Sequence, residues 1–454
     1  MPQERQRWTH ELTGYHWFVF FVASGAWLFD CLDQRLFSLA RVPALTTLLE
    51  GAPEAAIQAA GKQVTAVFLI GWGIGGLIFG ALGDRWGRAR MLNITVLIYS
   101  LFTGLTFFSH SYWDFATCRF LTGLGVGGVF GLAVSLLAET LPGSARAGAL
   151  GMLQILSTVG NVSAGLFLPI ASSLPNNQFV LPGQGWRYMF LVGAVPALLV
   201  IVTGRYLREP PRWLQAKAEG KLPKGSLLAP YRDLLADERW RRNLIIGSLI
   251  ASTGVVGLWA IGEYAPDLQR NIFTTYYKAQ SPPGTAPADI LKQVNSAISW
   301  AYICNMLGAG FGMWIFTKLA IGLGRRPAFA IGFSAALVAT FLVYWKMETP
   351  TQAYWMVALM GAAQLSVFAG FAIYLPELFP SHVRSTGTSF CYNLGRFAAA
   401  AGSFFSALLS TKVFAASLPP LNLRYSAMTM CAIFLVGLAT LPFAPETKDK
   451  PLPE

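Results

Sequence analysis

The chain has 454 residues, of which 54% are hydrophobic and only 12% charged, with a mean hydropathy of +0.48. A soluble globular chain carries about twice that charged fraction, so a cytosolic enzyme, a secreted domain and a disordered chain are excluded. The net charge of +12 would point to nucleic acid in a soluble protein. In a chain this apolar it reflects the Lys and Arg that membrane proteins gather in cytoplasmic loops, and no nucleic-acid partner is expected.

Stretches long enough to cross a ~30 Å hydrocarbon core recur along the sequence. Residues 1–14 are polar and contain no cleavable signal pattern. Twelve spans then follow, at 15–39, 62–83, 91–110, 115–138, 147–172, 185–206, 242–264, 293–317, 326–345, 350–375, 385–411 and 425–444. Lipid offers backbone groups no water, so each span must be helical. The expected fold is an all-α membrane protein with twelve transmembrane helices in two pseudo-symmetric six-helix bundles. The domains are 1–206 (N-terminal bundle), 207–241 (central loop with a short amphipathic surface helix in DLLADERWRRN) and 242–454 (C-terminal bundle and tail).

Charge sets the orientation. With the N-terminus inside, 22 of the 34 Lys and Arg fall on the cytoplasmic side, 10 on the other, and Arg119 and Arg396 within spans. This excess places both termini and the central loop in the cytoplasm and the protein in the plasma (inner) membrane. The five cysteines show neither paired nor metal-like spacing, so no disulfide, metal or cofactor is expected. The protein is expected to act as a monomer.

The two halves carry the same punctuation. Glu139, Pro142 and Arg146 after span four are matched by Glu377, Pro380 and Arg384 after span ten, each pair 238 residues apart. GALGDRWGRAR at 80–90 is matched in part by GLGRR at 322–326, with Arg325 lying 237 beyond Arg88. Repeated halves are how secondary transporters are built, with substrate held at the midplane between repeats.

These residues resemble the major facilitator superfamily over essentially the whole chain. GALGDRWGRAR is similar to its loop signature, and RFLTGLGVG at 119–127 to its fourth-span pattern. The Glu/Pro/Arg punctuation, with REPPRWL at 208–214, is similar to the sugar and metabolite:proton symporter branches. Ile321 stands where the first half has Asp84, so the two loops are not expected to contribute equally to gating.

Asp84, Arg85 and Arg88, with Glu139, Arg146, Glu377, Arg384 and Arg325, read as gate residues. Asp84 is expected near a helix N-terminus, and the arginines against acids across the halves. The Gly71–Gly76 and Gly123–Gly128 clusters read as close helix contacts. They are not nucleotide loops, because no strand precedes them.

Ionisable residues inside spans are costly and mark function. Asp30 and Asp33 in span one are i,i+3 and share a face. A carboxylate kept dry can exchange a proton near neutrality. The spacing resembles the first-span acidic pair of aromatic-acid:proton symporters, although Cys31 and Leu32 depart from that pattern. Arg119 lies at a depth similar to Asp33, so an Asp–Arg pair that opens on protonation is expected; the alternative is a static ion pair. Arg396 lies twelve residues, or ~18 Å of helix, beyond Arg384, near mid-membrane, with Asn393 and Tyr392 on its face. It can clamp a carboxylate bidentately; the alternative is that it neutralises Glu263. The resemblance also implies an anion-binding Arg at this place in span eleven. Gln154, Asn161, Trp259, Glu263 and Gln364 complete the substrate candidates, and each can equally be an interhelical hydrogen bond or interface aromatic.

The expected function is proton-coupled symport of a small organic anion by alternating access, with small molecule, proton and lipid as partners. A sugar or polyol transporter is the first rival, but span seven lacks the Gln-rich pattern of sugar porters. A drug:proton antiporter and a non-transporting receptor are further rivals. The former lacks its fifth-span Gly-Pro string here, and the latter has no need of acids in span one. No bond is broken, so the chain is not expected to be an enzyme.

Overall fold

A computed structural model describes residues 11–173, 185–262, 264–417 and 420–453, and among these every regular element is helical. In chain order they are α1 (Gly14–Leu48), α2 (Glu54–Trp86), α3 (Arg88–Leu105), α4 (Tyr112–Thr140), α5 (Gly143–Ser173), α6 (Gly185–Val192), α7 (Pro196–Tyr206), α8 (Pro211–Ala218) and α9 (Ala229–Ala236). The second series is α10 (Glu238–Val256), α11 (Tyr264–Gln280), α12 (Pro287–Gly322), α13 (Arg325–Lys346), α14 (Pro350–Gln364), α15 (Ser366–Tyr374), α16 (Arg384–Leu408), α17 (Leu421–Met430) and α18 (Ile433–Thr440). Ten helical stretches among the described residues are long and apolar enough to cross a membrane, and α5 and α16 fall on the predicted fifth and eleventh spans. Together they make the twelve-helix fold. Large apolar side chains such as Ile201 (73% exposed) and Phe404 (77% exposed) point outward, as lipid contact requires.

Short polar residues start several helices. Thr13 and His16 form a reciprocal capping box on α1, Ser111 and Asp114 another on α4, and Thr349 accepts from Gln352 N at 3.2 Å on α14. The same chemistry corrects the predicted surface helix over DLLADERWRRN. Asp237 Oδ1 accepts from Arg239 N at 2.8 Å and Trp240 N at 3.1 Å, so α9 ends before it and α10 begins after it. Helical structure also continues beyond the predicted end of span seven, with α10 and the π-helical turn that follows it reaching Ile261 and α11 running over Tyr264–Gln280. Its outer part, α11, is amphipathic rather than apolar: Ala265, Leu268, Ile272 and Phe273 are buried along one stripe. A hydropathy criterion therefore stops short of it.

The chain forms two compact units. The first is Met1–Leu244 with Leu375–Asn393 and Pro451–Glu454; the second is Ile245–Tyr374 with Leu394–Lys450. This differs from the sequence boundary at 242, because the start of α16 is bound into the first unit by polar contacts described below. Within the first unit α2 and α4 touch through glycine. A Cβ on Gly71 or Gly75 would fall on the carbonyl oxygens of Phe120 and Leu124. Within the second unit α12 and α14 do the same, with Gly308 and Gly312 against the carbonyl oxygens of Ala358 and Ala362. The members of each pair, Gly71 and Gly308 or Gly75 and Gly312, are 237 residues apart.

The second unit carries a cleft of about 560 Å³ between α12, α13 and α14, lined by residues such as Phe316, Ile331, Val338, Leu342 and Trp355, with Lys346 at its edge. Ile331, Val338, Leu342 and Trp355 are exposed on the apolar exterior. The cleft contains none of the predicted substrate residues and reads as part of the lipid-facing surface. Cys31, Cys391 and Cys431 are buried, and Cys118 and Cys304 are half-buried.

Candidate functional site

The first unit encloses the acidic pair. Asp30 and Asp33 on α1 and Arg119 on α4 are all fully buried. Arg119 Nη1 lies 3.7 Å from Asp33 Oδ2, and Arg119 Nη2 donates to Thr106 Oγ1 at 2.6 Å. The guanidinium lies over the Phe190 ring at 4.7 Å and near that of Phe37 at 5.7 Å. Removing one partner from such a dry pair leaves a buried charge uncompensated, which is strongly unfavourable. Any change in its protonation is therefore coupled to its surroundings.

One turn before Asp30, Trp27 Nε1 donates to Gln154 Oε1 at 3.0 Å. The Trp27 ring lies 5.0 Å from Phe130, and Phe130 stacks on Tyr392 at 3.8 Å. The structure thus brings together Gln154 and Tyr392, which the sequence singled out, with Trp27 and Phe130, which it did not. The missed signal is the i−3 spacing of Trp27 from Asp30. Asn393, beside Tyr392, turns its amide to Ser389 O at 2.8 Å and Gly127 O at 3.5 Å. Asn161 donates to Ser157 O at 3.1 Å on its own helix.

In the second unit Arg396 is 7% exposed, next to Gly395, which rests against Val255. Gln364 donates to Thr340 Oγ1 at 2.8 Å, an interhelical bond. Trp259 is half-buried in a π-helical turn, Gly257–Ile261, that ends α10. Glu263 lies outside the described residues. Among the described residues no cluster of three His, Cys, Asp or Glu side chains could hold a metal ion.

The predicted gate residues other than Arg325, which lies in the second unit, gather in the first unit. Asp84 accepts from Ser385 N at 3.1 Å and from Thr386 N and Oγ1 at 2.8 and 2.5 Å, so it caps the start of α16. Arg88 pairs with Asp84 at 2.9 Å and Glu139 at 3.2 Å, and donates to Ser381 O. Glu139 Oε1 also takes Arg384 Nη1 at 2.5 Å. The central acid is therefore Glu139 of the first half, with one arginine from each sequence half. Arg146 Nε donates to Ala138 O at 2.9 Å and Arg384 Nε to Pro376 O at 3.0 Å, the same eight-residue return in both repeats. Arg85 Nη2 donates to Gly225 O at 2.6 Å, and Arg325 Nη1 to Ala320 O at 2.9 Å. Glu377, seven residues before Arg384, is buried. His382 is half-buried. Burial, Arg88 and Arg384 hold its imidazole below the usual range, against the pull of Asp233.

Two glutamates escaped the sequence reading. Glu209 accepts from Ala89 N at 3.1 Å and Arg90 N at 2.9 Å, capping α3; Glu446 accepts from Arg325 N at 2.9 Å and Arg326 N at 3.0 Å, capping α13. Each helix is preceded by a glycine at positive φ, Gly87 (111°) and Gly324 (112°). The offsets 446−209 and 324−87 are both 237, so the repeat spacing was the signal that could have found them.

A model of the family "Sugar (and other) transporter" matches residues 50–239 and 305–454. The cis,cis-muconate transport protein of Acinetobacter baylyi is 27% identical over 387 residues, covering 84% of each chain. The niacin transporter of the same organism is 25% identical over 392 residues, again covering 84% of each. Among solved structures, the proton:xylose symporter of E. coli bound to 6-bromo-6-deoxy-D-glucose superposes with a TM-score of 0.74 at 21% identity, covering 96% of this chain and 98% of that one. With its twelve-helix fold, its internal repeat and this match over most of its length, the chain belongs to the sugar (and other) transporter family and is a multi-pass membrane transporter.

Proposed function

We propose that the protein is a proton-coupled symporter of a small organic anion, with planar unsaturated carboxylates the first to test. The observation that carries the reading is the fully buried Asp33–Arg119 pair, with Asp30 one turn away on α1. Arg396, buried within the eleventh span, is the residue we assign as the carboxylate clamp. The Trp27, Phe130 and Tyr392 rings, one turn from Asp30, offer stacking for a flat conjugated acid. The named cargoes of the muconate and niacin relatives agree with that chemistry.

In this reading protonation of the Asp30/Asp33 site frees Arg119 from its partner, and Arg396 takes the anion. With these charges neutralised the alternating-access step proceeds, and deprotonation inside releases both. The Glu139 cluster acts as the gate latch. The Lys and Arg distribution supports both termini in the cytoplasm, and we assign the protein as a monomer of the inner membrane.

The test is uptake into proteoliposomes of nicotinate, cis,cis-muconate and xylose, with and without an imposed pH gradient. Accumulation of a carboxylate driven by an inward proton gradient is expected. Arg396→Ala should abolish it, and Asp30→Asn or Asp33→Asn should leave exchange without gradient-driven accumulation. Xylose uptake alone, or unchanged coupling in both Asp variants, would overturn the proposal.

A further inference from the structure

The cleft between α12, α13 and α14 owes its hollow to small side chains. Along α13 the exposed Ile331, Val338 and Leu342 line it, but so do Ala335 and Ala339, which supply only methyl groups. Phe316 on α12, which also lines it, is 2% exposed. From Ile331 to Lys346 the lining follows fifteen residues of α13, or ~22 Å of helix. One leaflet of a ~30 Å hydrocarbon core is about 15 Å deep. A slot of about 560 Å³ and this length suits one extended acyl chain.

Its chemistry is asymmetric. Lys346 is the one ionisable side chain among the described residues that line it, and it is the last residue of α13. A cation in that position ordinarily serves the unpaired carbonyls of its own helix end. Here Arg424 has already taken them: Nη1 donates to Tyr344 O at 2.9 Å and Trp345 O at 2.8 Å, and Nη2 to Met347 O at 2.5 Å. The exposed Lys346 ammonium lies 4.4 Å from the centre of the Trp345 ring and makes no ion pair among the described residues. Glu348, two residues on, is exposed and does not pair with it. Trp345 and Trp355 are more than half exposed at this end, as tryptophans at headgroup level are.

We propose that the cleft is a phospholipid site: it holds one acyl chain of an anionic glycerophospholipid, and Lys346 takes the phosphate at its mouth. A zwitterionic headgroup brings its own ammonium, and no carboxylate lines the cleft to receive it. A headgroup of net negative charge matches the lone cation. The inference is independent of the cargo and of the proton site.

The test needs no transport. Full-length protein is purified in detergent, stripped of lipid and titrated with phosphatidylglycerol or with phosphatidylcholine of the same acyl chains, and bound lipid is counted by native mass spectrometry. Tighter binding of phosphatidylglycerol is expected. Lys346→Gln, at an exposed position, should weaken it about fivefold, the contribution of one basic side chain toward anionic lipid. Ala339→Phe keeps the cation and fills the hollow, and should remove the same bound lipid. Lys318→Gln is the control, since Lys318 is also exposed and lies 5.9 Å from the Trp314 ring but does not line the cleft. Its binding should match that of the unaltered protein. Equal binding of the two lipids, or undiminished phosphatidylglycerol binding in Lys346→Gln, overturns the proposal. Loss in Lys318→Gln alone puts the headgroup elsewhere and overturns it too. A protein that takes no lipid but forms a dimer, lost in Ala339→Phe, puts a second copy of the chain in the cleft and overturns it as well.

Discussion

Glu139 shows how much one side chain can hold. A single oxygen, Oε1, receives Arg88 at 3.2 Å, Arg384 at 2.5 Å and the Ser381 hydroxyl at 3.1 Å, with the side chains of both ion pairs out of contact with solvent. Arg88 keeps Asp84 if the glutamate is neutralised, whereas among the described residues Arg384 keeps the carbonyls of Pro376, Phe379 and Pro453. Glu139→Gln should therefore lower stability by about 3–5 kcal/mol, the cost of breaking a buried ion pair, read as thermal unfolding in detergent. Arg384→Met in the same background should recover part of the loss, since it removes the stranded charge. At this scale the sequence was legible where helix geometry alone decided. The depths of Asp33 and Arg119 follow from a fixed rise per residue. It was not legible at Asn393 or Gln364: periodicity tells which face a residue takes, not whether a nearby carbonyl or hydroxyl has already claimed its amide.

Helix boundaries depend on caps, and the caps here lie partly outside their own segments. The α3 and α13 starts are closed by Glu209 and Glu446, which are more than 100 residues away in the chain, so no local motif announces them. Partial burial pushes the Glu446 carboxyl up, but backbone donors from Arg325, Arg326, Lys448 and Thr447 together outweigh it and hold it below its ordinary value of 4.5. A carboxyl lowered by folding stabilises the fold above its unfolded value and loses that contribution as pH falls through the folded one. Glu446→Gln should thus melt below the unaltered protein at pH 7, and the two melting curves should converge as the pH is taken below about 4.5. A difference that persists in acid would assign the effect to shape rather than charge. The α9–α10 break was missed for the opposite reason. Asp237 is a local cap, but its neighbours DLLA and ERWRRN read as one amphipathic stretch by periodicity alone.

The molecule as a whole was the most legible of the three. Low charge and twelve apolar runs dictate helices in lipid, and two motif pairs at offsets of 237 and 238 dictate the duplication. The structure extends that duplication into packing, because the backbone contacts of α2 with α4 recur between α12 and α14 at the same offset. Gly75→Leu and Gly312→Leu should both destabilise, each by at least the roughly 1–3 kcal/mol of overpacking, with lower yield of monodisperse protein on size-exclusion chromatography. Equal sensitivity of the two variants is expected from the repeat; a silent Gly312→Leu would break the equivalence. The segment Leu375–Asn393 was not legible in this way. Its allegiance to the first unit comes from Asp84, Glu139 and Arg88, and the second repeat has Ile321 in place of the first of these.

The state of the thiols has a practical consequence for watching this transporter at work. Three of the five sulfhydryls are sealed within helix packing, while Cys118 on α4 and Cys304 on α12 are partly accessible, one in each repeat. Spin or fluorescent labels can therefore be attached at two native positions, giving a ruler across the transport cycle in which no cysteine need be introduced.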